Sequence, residues 1–241
     1  KDELMAQFLS LRGFYYYQLA LEFNHHPSYD ANAAAPPIYT EPATDSKPMS
    51  TITELFGQIK SDLAQASSLA STSRINKTYI NKNVINGFLA RVHLYLGEYA
   101  EAESAAAAAR TGYSLNSTQY TTGFDDMSID ETMWAMAQST DQSNYYYIAP
   151  HSFTDHENGA YQGTFFNNDF VQLFSATDVR NTFYHYYSSD TTAWFAWVTS
   201  KFTFAFDSDM IMMRSAEMML IEAEAKARQG NDTQAATLLY S

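Results

Sequence analysis

The 241-residue chain contains no cysteine. That removes disulfides, thiolate zinc sites and a cysteine nucleophile together, while leaving the redox compartment open. Basic residues are scarce: 14 Lys and Arg stand against 27 Asp and Glu, a net charge of −13. A nucleic-acid partner requires clustered Lys and Arg along its phosphates, so that class is excluded. No apolar run approaches the ~20 residues of a membrane span. The start KDELMAQFLSLRGF has no basic flank, apolar core and small-residue cleavage site, and KDEL is an address only at a carboxyl end. Charged residues make up only 17% of the chain, whereas aromatics reach 15%, with 18 Tyr and 16 Phe. Rings on that scale point to more than a core.

Known catalytic patterns are also missing. His156 and Glu157 do not extend to the helical H-E-x-x-H zinc motif, and there is no G-x-S-x-G elbow, phosphate-binding glycine loop or dinucleotide fingerprint. Carboxylates are abundant, but no spacing singles out a glycosidase pair. Asp178 and Arg180 in TDVR read as a structural ion pair or loop brace. The chain is therefore expected to be no enzyme and to carry no metal or cofactor.

What is present is helical period. Leu4, Phe8, Leu11, Tyr15, Leu19 and Phe23 recur every three or four residues, which predicts an amphipathic helix over 1–23 with this stripe inward. A proline-rich loop follows over 24–49. Thr51 and Glu54 form a capping-box pattern ahead of Ile52, Leu55, Phe56, Ile59, Leu63 and Ala66, so a second helix is expected to about Leu69. Ile80, Val84, Phe88, Val92 and Tyr95, with Ile85, Leu89 and Leu96 beside them, mark a third that stops at Gly97. Tyr99, Ala102, Ala106 and Ala109 continue the period in a helix whose alanines permit close approach.

The segment MRSAEMMLIEAEAKARQGNDTQAATLLYS repeats this design around Gly230, with a second helix expected from Ala235. Ala102 and Ala235 stand at the same offset from their glycines. Both segments resemble the turn and second helix of a tetratricopeptide repeat. The second copy stops at Ser241, so the chain is expected to be cut from a longer one.

Domain boundaries follow: helical hairpins over 1–110 including the loop 24–49, an irregular aromatic-rich insertion over 111–213, and the start of a further hairpin over 214–241. The fold class is mostly α, an α-α superhelix of tetratricopeptide-like hairpins whose insertion contains little strand. Short β-prone runs in that insertion are TMWAMAQST and AWFAWVTSKF. Insertions of such length on a solenoid are where function sits.

Sugar recognition uses flat rings against the C–H faces of pyranoses and planar polar groups for paired hydroxyls. NYYYIAPHSFTDHENGAY offers Tyr145, Tyr146, Tyr147, His151, Asp155, His156, Asn158 and Tyr161 around a proline and a glycine, as an exposed loop would. Trp194 and Trp197 cannot share one face of a strand. Trp194, after the polar SSDTTA, is expected to be the exposed one, and Trp134 in TMWAMA to be buried. NHHPSYD adds Tyr29 and Asp30, while adjacent His25 and His26 rarely share an ion and read as loop polarity. The expected ligand-binding residues are Tyr145, Tyr146, Tyr147, Asp155, His156, Asn158, Tyr161, Trp194, Tyr29 and Asp30.

In order, FLSLRGFYYYQLALEFN, PPIYTEPATDSKPMSTITELFGQIKSDLAQAS, INGFLARVHLYLGEYAEAE, TDVR and SDMIMMRSAEMMLIEAEAKARQG resemble the SusD/RagB family of Bacteroidetes cell-surface nutrient-binding lipoproteins. That resemblance implies four tetratricopeptide-like pairs and a more irregular lobe carrying the glycan site. It also implies a lipidated N-terminal cysteine outside the cell, and a SusC-like TonB-dependent outer-membrane transporter as partner. Starch-like or other oligosaccharide would be bound without chemistry. The chain lacks the lipobox cysteine, an N-terminal lead-in and the C-terminal remainder, as expected of a fragment. A tetratricopeptide adaptor for a protein peptide is the alternative. It would not need a hundred-residue aromatic insertion, and its repeats would follow at ~34 residues, unlike Gly97 and Gly230.

Overall fold

The computed structural model describes residues 1–115, 117–141, 151–156 and 163–240. In chain order its elements are α1 (Asp2–Phe23), β1 (Ala34–Ala35), β2 (Ser50–Thr51), α2 (Ile52–Leu69), α3 (Lys82–Leu96), α4 (Tyr99–Arg110), β3 (Thr132–Met136), α5 (His151–Thr154), α6 (Asn168–Val171), β4 (Phe183–His185), β5 (Trp197–Thr199), β6 (Met210–Arg214), α7 (Ser215–Arg228) and α8 (Asp232–Leu239). The protein is mostly α with little strand, and it forms two compact units: Lys1–Gly112 with Ser215–Ser241, and Tyr113–Arg214.

The first unit is built from helical hairpins. Thr51 accepts from the Glu54 N–H while Glu54 accepts from the Thr51 N–H, and this capping box starts α2. All six expected apolar positions of α2, from Ile52 to Ala66, are buried. Gly13 lets α1 lie close by, since a Cβ there would stand 3.0 Å from the Leu63 side chain. Arg12 links the same two helices, its guanidinium donating to both Asp62 oxygens at 2.6 and 2.7 Å.

One expectation about α1 is corrected. The helix forms, but Leu4, Phe8, Tyr15, Leu19 and Phe23 are exposed, while Ala6, Leu9, Gly13, Phe14, Tyr16, Tyr17 and Ala20 are buried. Apolar side chains surround this helix, so their spacing alone does not choose a face. Small residues at Ala6, Gly13 and Ala20 allow the close packing that decides it.

The two glycine turns share one geometry. Gly97 takes φ 74° and Gly230 φ 80°. In each case the next residue donates back five positions, Glu98 to the His93 carbonyl and Asn231 to the Lys226 carbonyl, both at 2.9 Å. This is the Schellman closure, which requires the left-handed conformation that glycine adopts without strain. The helix after Gly230 starts at Asp232, three residues before the expected Ala235, because an acidic side chain suits the positive end of its first turn.

Alanines form the seam. Ala102, Ala106 and Ala109 are fully buried on α4, which packs against α3 and α7. Asn83 at the start of α3 donates to the carbonyls of Ala109 and Thr111, both at 3.0 Å, so the hairpin is antiparallel. Arg91 pairs with Glu217 at 2.6 Å and Arg110 with Glu222 at 2.7 Å, fixing α7 over that hairpin. Ala106→Leu is expected to destabilise the protein by about 1 to 3 kcal/mol, because three added carbons have no room in the seam. An unchanged urea midpoint would show that these backbones stand further apart than described.

The second unit has shorter elements. β3 pairs antiparallel with β6, and β4 with β5. Phe124, Met133, Trp134, Val198, Phe204 and Met213 are among its buried side chains. Asp209 bridges two loops by accepting from the N–H groups of Met127 and Gln138 at 2.8 and 2.9 Å. Asp178 and Arg180 form the expected brace, with two hydrogen bonds at 2.7 and 3.0 Å. The Arg180 side chain, helped by its backbone N–H, holds the Asp178 carboxyl down at about 2.

Candidate functional site

The β4–β5 hairpin and α6 shape a groove of about 500 Å³ lined by Phe165, Asn167, Asn168, Asp169, Thr192, Ala193 and Trp194. Sequence fixes each wall locally. Asn167 caps α6 by accepting from the Asp169 N–H at 2.7 Å. Asn168 accepts from Trp197 Nε1 at 3.0 Å, which ties α6 to β5. The Phe166 N–H donates to the Trp197 carbonyl at 2.8 Å and holds the preceding segment against the same strand. On the other wall, Asp190 accepts from the Thr192 hydroxyl at 2.7 Å and N–H at 2.9 Å. These two bonds, hydroxyl first, lower the Asp190 carboxyl below its ordinary range.

Trp194 stands out of this frame. Its side chain is 76% exposed, although its ring meets Phe165 edge to face at 5.4 Å. Trp134 is buried, as its neighbours in sequence imply, and Trp197 is half-buried. Asn167, Asn168 and the exposed Asp169 line the same groove as Trp194, and the Asp169 carboxylate makes no ion pair among the described residues. A flat ring beside planar donors and an acceptor can hold a sugar by stacking and by paired hydroxyls.

Other expected site residues are distributed differently. Asp155 and His156 are buried, which corrects the expectation that they stand on an exposed loop. Asp155 accepts from the Phe204 N–H at 2.6 Å. His156 packs against Phe165 at 5.3 Å and against Tyr186 and Tyr187, so it supports the same phenylalanine that Trp194 touches. His151 is also buried, bonded to the Phe124 carbonyl at 2.8 Å. Tyr145, Tyr146, Tyr147, Asn158 and Tyr161 lie outside the described residues. Tyr29 and Asp30 belong to the first unit, both exposed, with Asp30 accepting from the Asn32 N–H at 2.9 Å.

His25 and His26 act as loop residues. His26 Nε2 bonds the Tyr95 carbonyl at 2.6 Å. No cluster of metal-ligating side chains occurs among the described residues.

Sequence reading missed Phe165, Asn167, Asn168, Asp169 and Thr192. The signal for all but Thr192 was FFNND, rings followed directly by amides and an acid, the same chemistry sought elsewhere in the insertion.

Fold and groove together define a class: a tetratricopeptide-like helical scaffold and an irregular lobe with a groove lined by an exposed indole and planar polar groups. A SusD-like family model described as "Starch-binding associating with outer membrane" matches residues 1–94. A SusD-like carbohydrate binding protein from Bacteroides vulgatus is 30% identical with a TM-score of 0.86, over 99% of this chain and 54% of that one. A SusD superfamily protein from Bacteroides thetaiotaomicron is 22% identical with a TM-score of 0.85, over 99% of this chain and 57% of that one, a likeness of fold. No curated protein matches the sequence. These likenesses are to the SusD family, over residues 1–94 in sequence and over nearly the whole chain in fold. The chain spans just over half the length of these solved structures.

Proposed function

We propose that the chain is part of a cell-surface glycan-binding subunit, and that the groove under Trp194 holds an oligosaccharide. In this reading the protein captures glycan at the extracellular face of the outer membrane, lipid-anchored, and delivers it to a SusC-like TonB-dependent transporter. It performs no catalysis. The observation that carries the reading is the exposure of the Trp194 ring in a groove with the amides of Asn167 and Asn168 and the carboxylate of Asp169, unpaired among the described residues. An exposed indole in a groove that also carries planar amides and a carboxylate suits the apolar face and the hydroxyls of a sugar. Support also comes from the carbohydrate-binding relative, which shares the fold over nearly all of this chain. No helix among the described residues is long and apolar enough to cross a membrane.

A screen against plant, host and microbial polysaccharides, with assay of released reducing ends, tests this directly. Retention of at least one polysaccharide without cleavage is expected. Release of reducing ends would replace capture by hydrolysis, and no retention of any would remove the glycan. The adaptor alternative draws on a separate observation, the exposed apolar residues Leu4, Phe8, Tyr15 and Phe23 on α1. It would prevail if the chain retained a protein partner through that face and no sugar at all.

A further inference from the structure

Away from the Trp194 groove, the second unit holds a cavity of about 340 Å³ with apolar walls and one charged side chain. Met210, Met212 and Arg214 alternate along β6, so they share one face of that strand, and they line the cavity together with Phe124 and Phe202. The two ring centroids are 6.0 Å apart. Backbone pairing sets that spacing, since the Thr203 N–H donates to the Gly123 carbonyl at 3.1 Å. His151 Nε2 donates to the Phe124 carbonyl at 2.8 Å and holds this buried residue at φ 48°, a conformation that non-glycine residues adopt only where their surroundings impose it.

Positive charge is in excess on this wall. The Arg214 guanidinium lies over the Phe124 ring at 4.5 Å. The Lys201 ammonium lies behind the wall, over the same ring at 5.4 Å, over Phe202 at 5.2 Å and over Tyr120 at 4.7 Å, where the ring faces favour its charged form. Glu131 accepts from Arg214 Nη1 at 2.9 Å, and among the described residues no carboxylate pairs with Lys201. Arg180, the other cation acting on Lys201, is engaged by Asp178. Among the described residues the Nε–Nη2 edge of Arg214 has no hydrogen-bond partner.

We propose that this cavity binds a small aromatic carboxylic acid, its ring against Phe124, Phe202 and the two methionines and its carboxylate on the open edge of Arg214. A guanidinium edge offers two parallel N–H donors at the spacing of carboxylate oxygens. Phenylalanine edges and methionine sulfurs both favour an aromatic body over an aliphatic one. Benzene fills an apolar cavity of ~150 Å³, so about 340 Å³ accommodates a ring with a short acid arm. Phosphate would give up strong hydration for a single cation already shared with Glu131, and a sugar would bury hydroxyls against apolar walls. The inference stands whether or not the Trp194 groove holds glycan.

The test titrates the folded chain, carrying ¹³C-methyl methionine, with 3-phenylpropanoate, 3-phenylpropanamide and acetate, and follows the methyl resonances. 3-Phenylpropanoate is expected to saturate with a Kd on the order of 1 mM, ordinary for a ligand of that size, and to shift Met210 and Met212 most. The amide should bind at least tenfold more weakly, and acetate not at all. Arg214→Gln alone strands the buried Glu131, so the charge is removed with the double variant Glu131→Gln and Arg214→Gln, which should lose at least tenfold in affinity while keeping the methyl spectrum of the free chain. Glu131→Gln alone keeps the guanidinium and removes its competing carboxylate, and should tighten binding severalfold. Absence of saturable shifts at Met210 and Met212, equal affinity for acid and amide, or equal losses in the single and double variants would overturn the proposal.

Discussion

Trp194→Ala is expected to weaken binding of the retained polysaccharide by about 2 kcal/mol, roughly thirtyfold in Kd, with little change in stability. The binding loss follows from the ring's position, since an indole over the groove covers the C–H face of a sugar and excludes water from the hydrogen bonds made at Asn167, Asn168 and Asp169. Stability is spared because a side chain 76% exposed contributes little to the core. Isothermal titration of the variant, with its thermal midpoint measured in parallel, separates the two. A midpoint lowered together with the affinity would mean that Trp194 braces Phe165 rather than the ligand.

The second large effect lies in the helical unit. Asp62 is a carboxylate with 2% exposure, held by Arg12 Nε and Nη2 and by Gln58 Nε2 at 2.7 Å. Asp62 raises the Arg12 guanidinium above its ordinary value through this hydrogen bond, against the opposing effect of burial. Arg12→Met leaves a buried charge with one neutral donor, and is expected to cost about 3 to 5 kcal/mol in urea unfolding. The double variant Arg12→Met with Asp62→Leu removes both charges and should recover most of that loss. Equal destabilisation in the single and double variants would show that the pair serves α1–α2 packing through its bulk.

Local chemistry in the helices was legible in the sequence. Thr51 and Glu54 announced the start of α2, and Gly97 and Gly230 marked two turns that close in the same left-handed way. Alanine spacing identified the α4 seam. The buried face of α1 was not legible, because Phe14, Tyr16 and Tyr17 compete with Phe8, Tyr15 and Phe23 all round the helix. Which ring turns inward depends on Leu63 and the other surfaces that α1 meets.

The second unit depends on pairing between distant segments. β3 joins β6, and the rings around Lys201 come from positions 120, 124 and 202. Trp194 after SSDTTA was readable as exposed. The groove floor was not readable, since FFNND acquires its orientation only when Asn168 receives the Trp197 indole N–H.

Iodide quenching of tryptophan fluorescence tests the central claim most directly, because Trp134 is buried, Trp197 half-buried and Trp194 open to solvent. Saturating the chain with a retained polysaccharide should remove most of the quenchable emission, as the sugar face covers the Trp194 ring. Bound polysaccharide with quenching unchanged would place the ligand elsewhere and contradict the assignment of this groove.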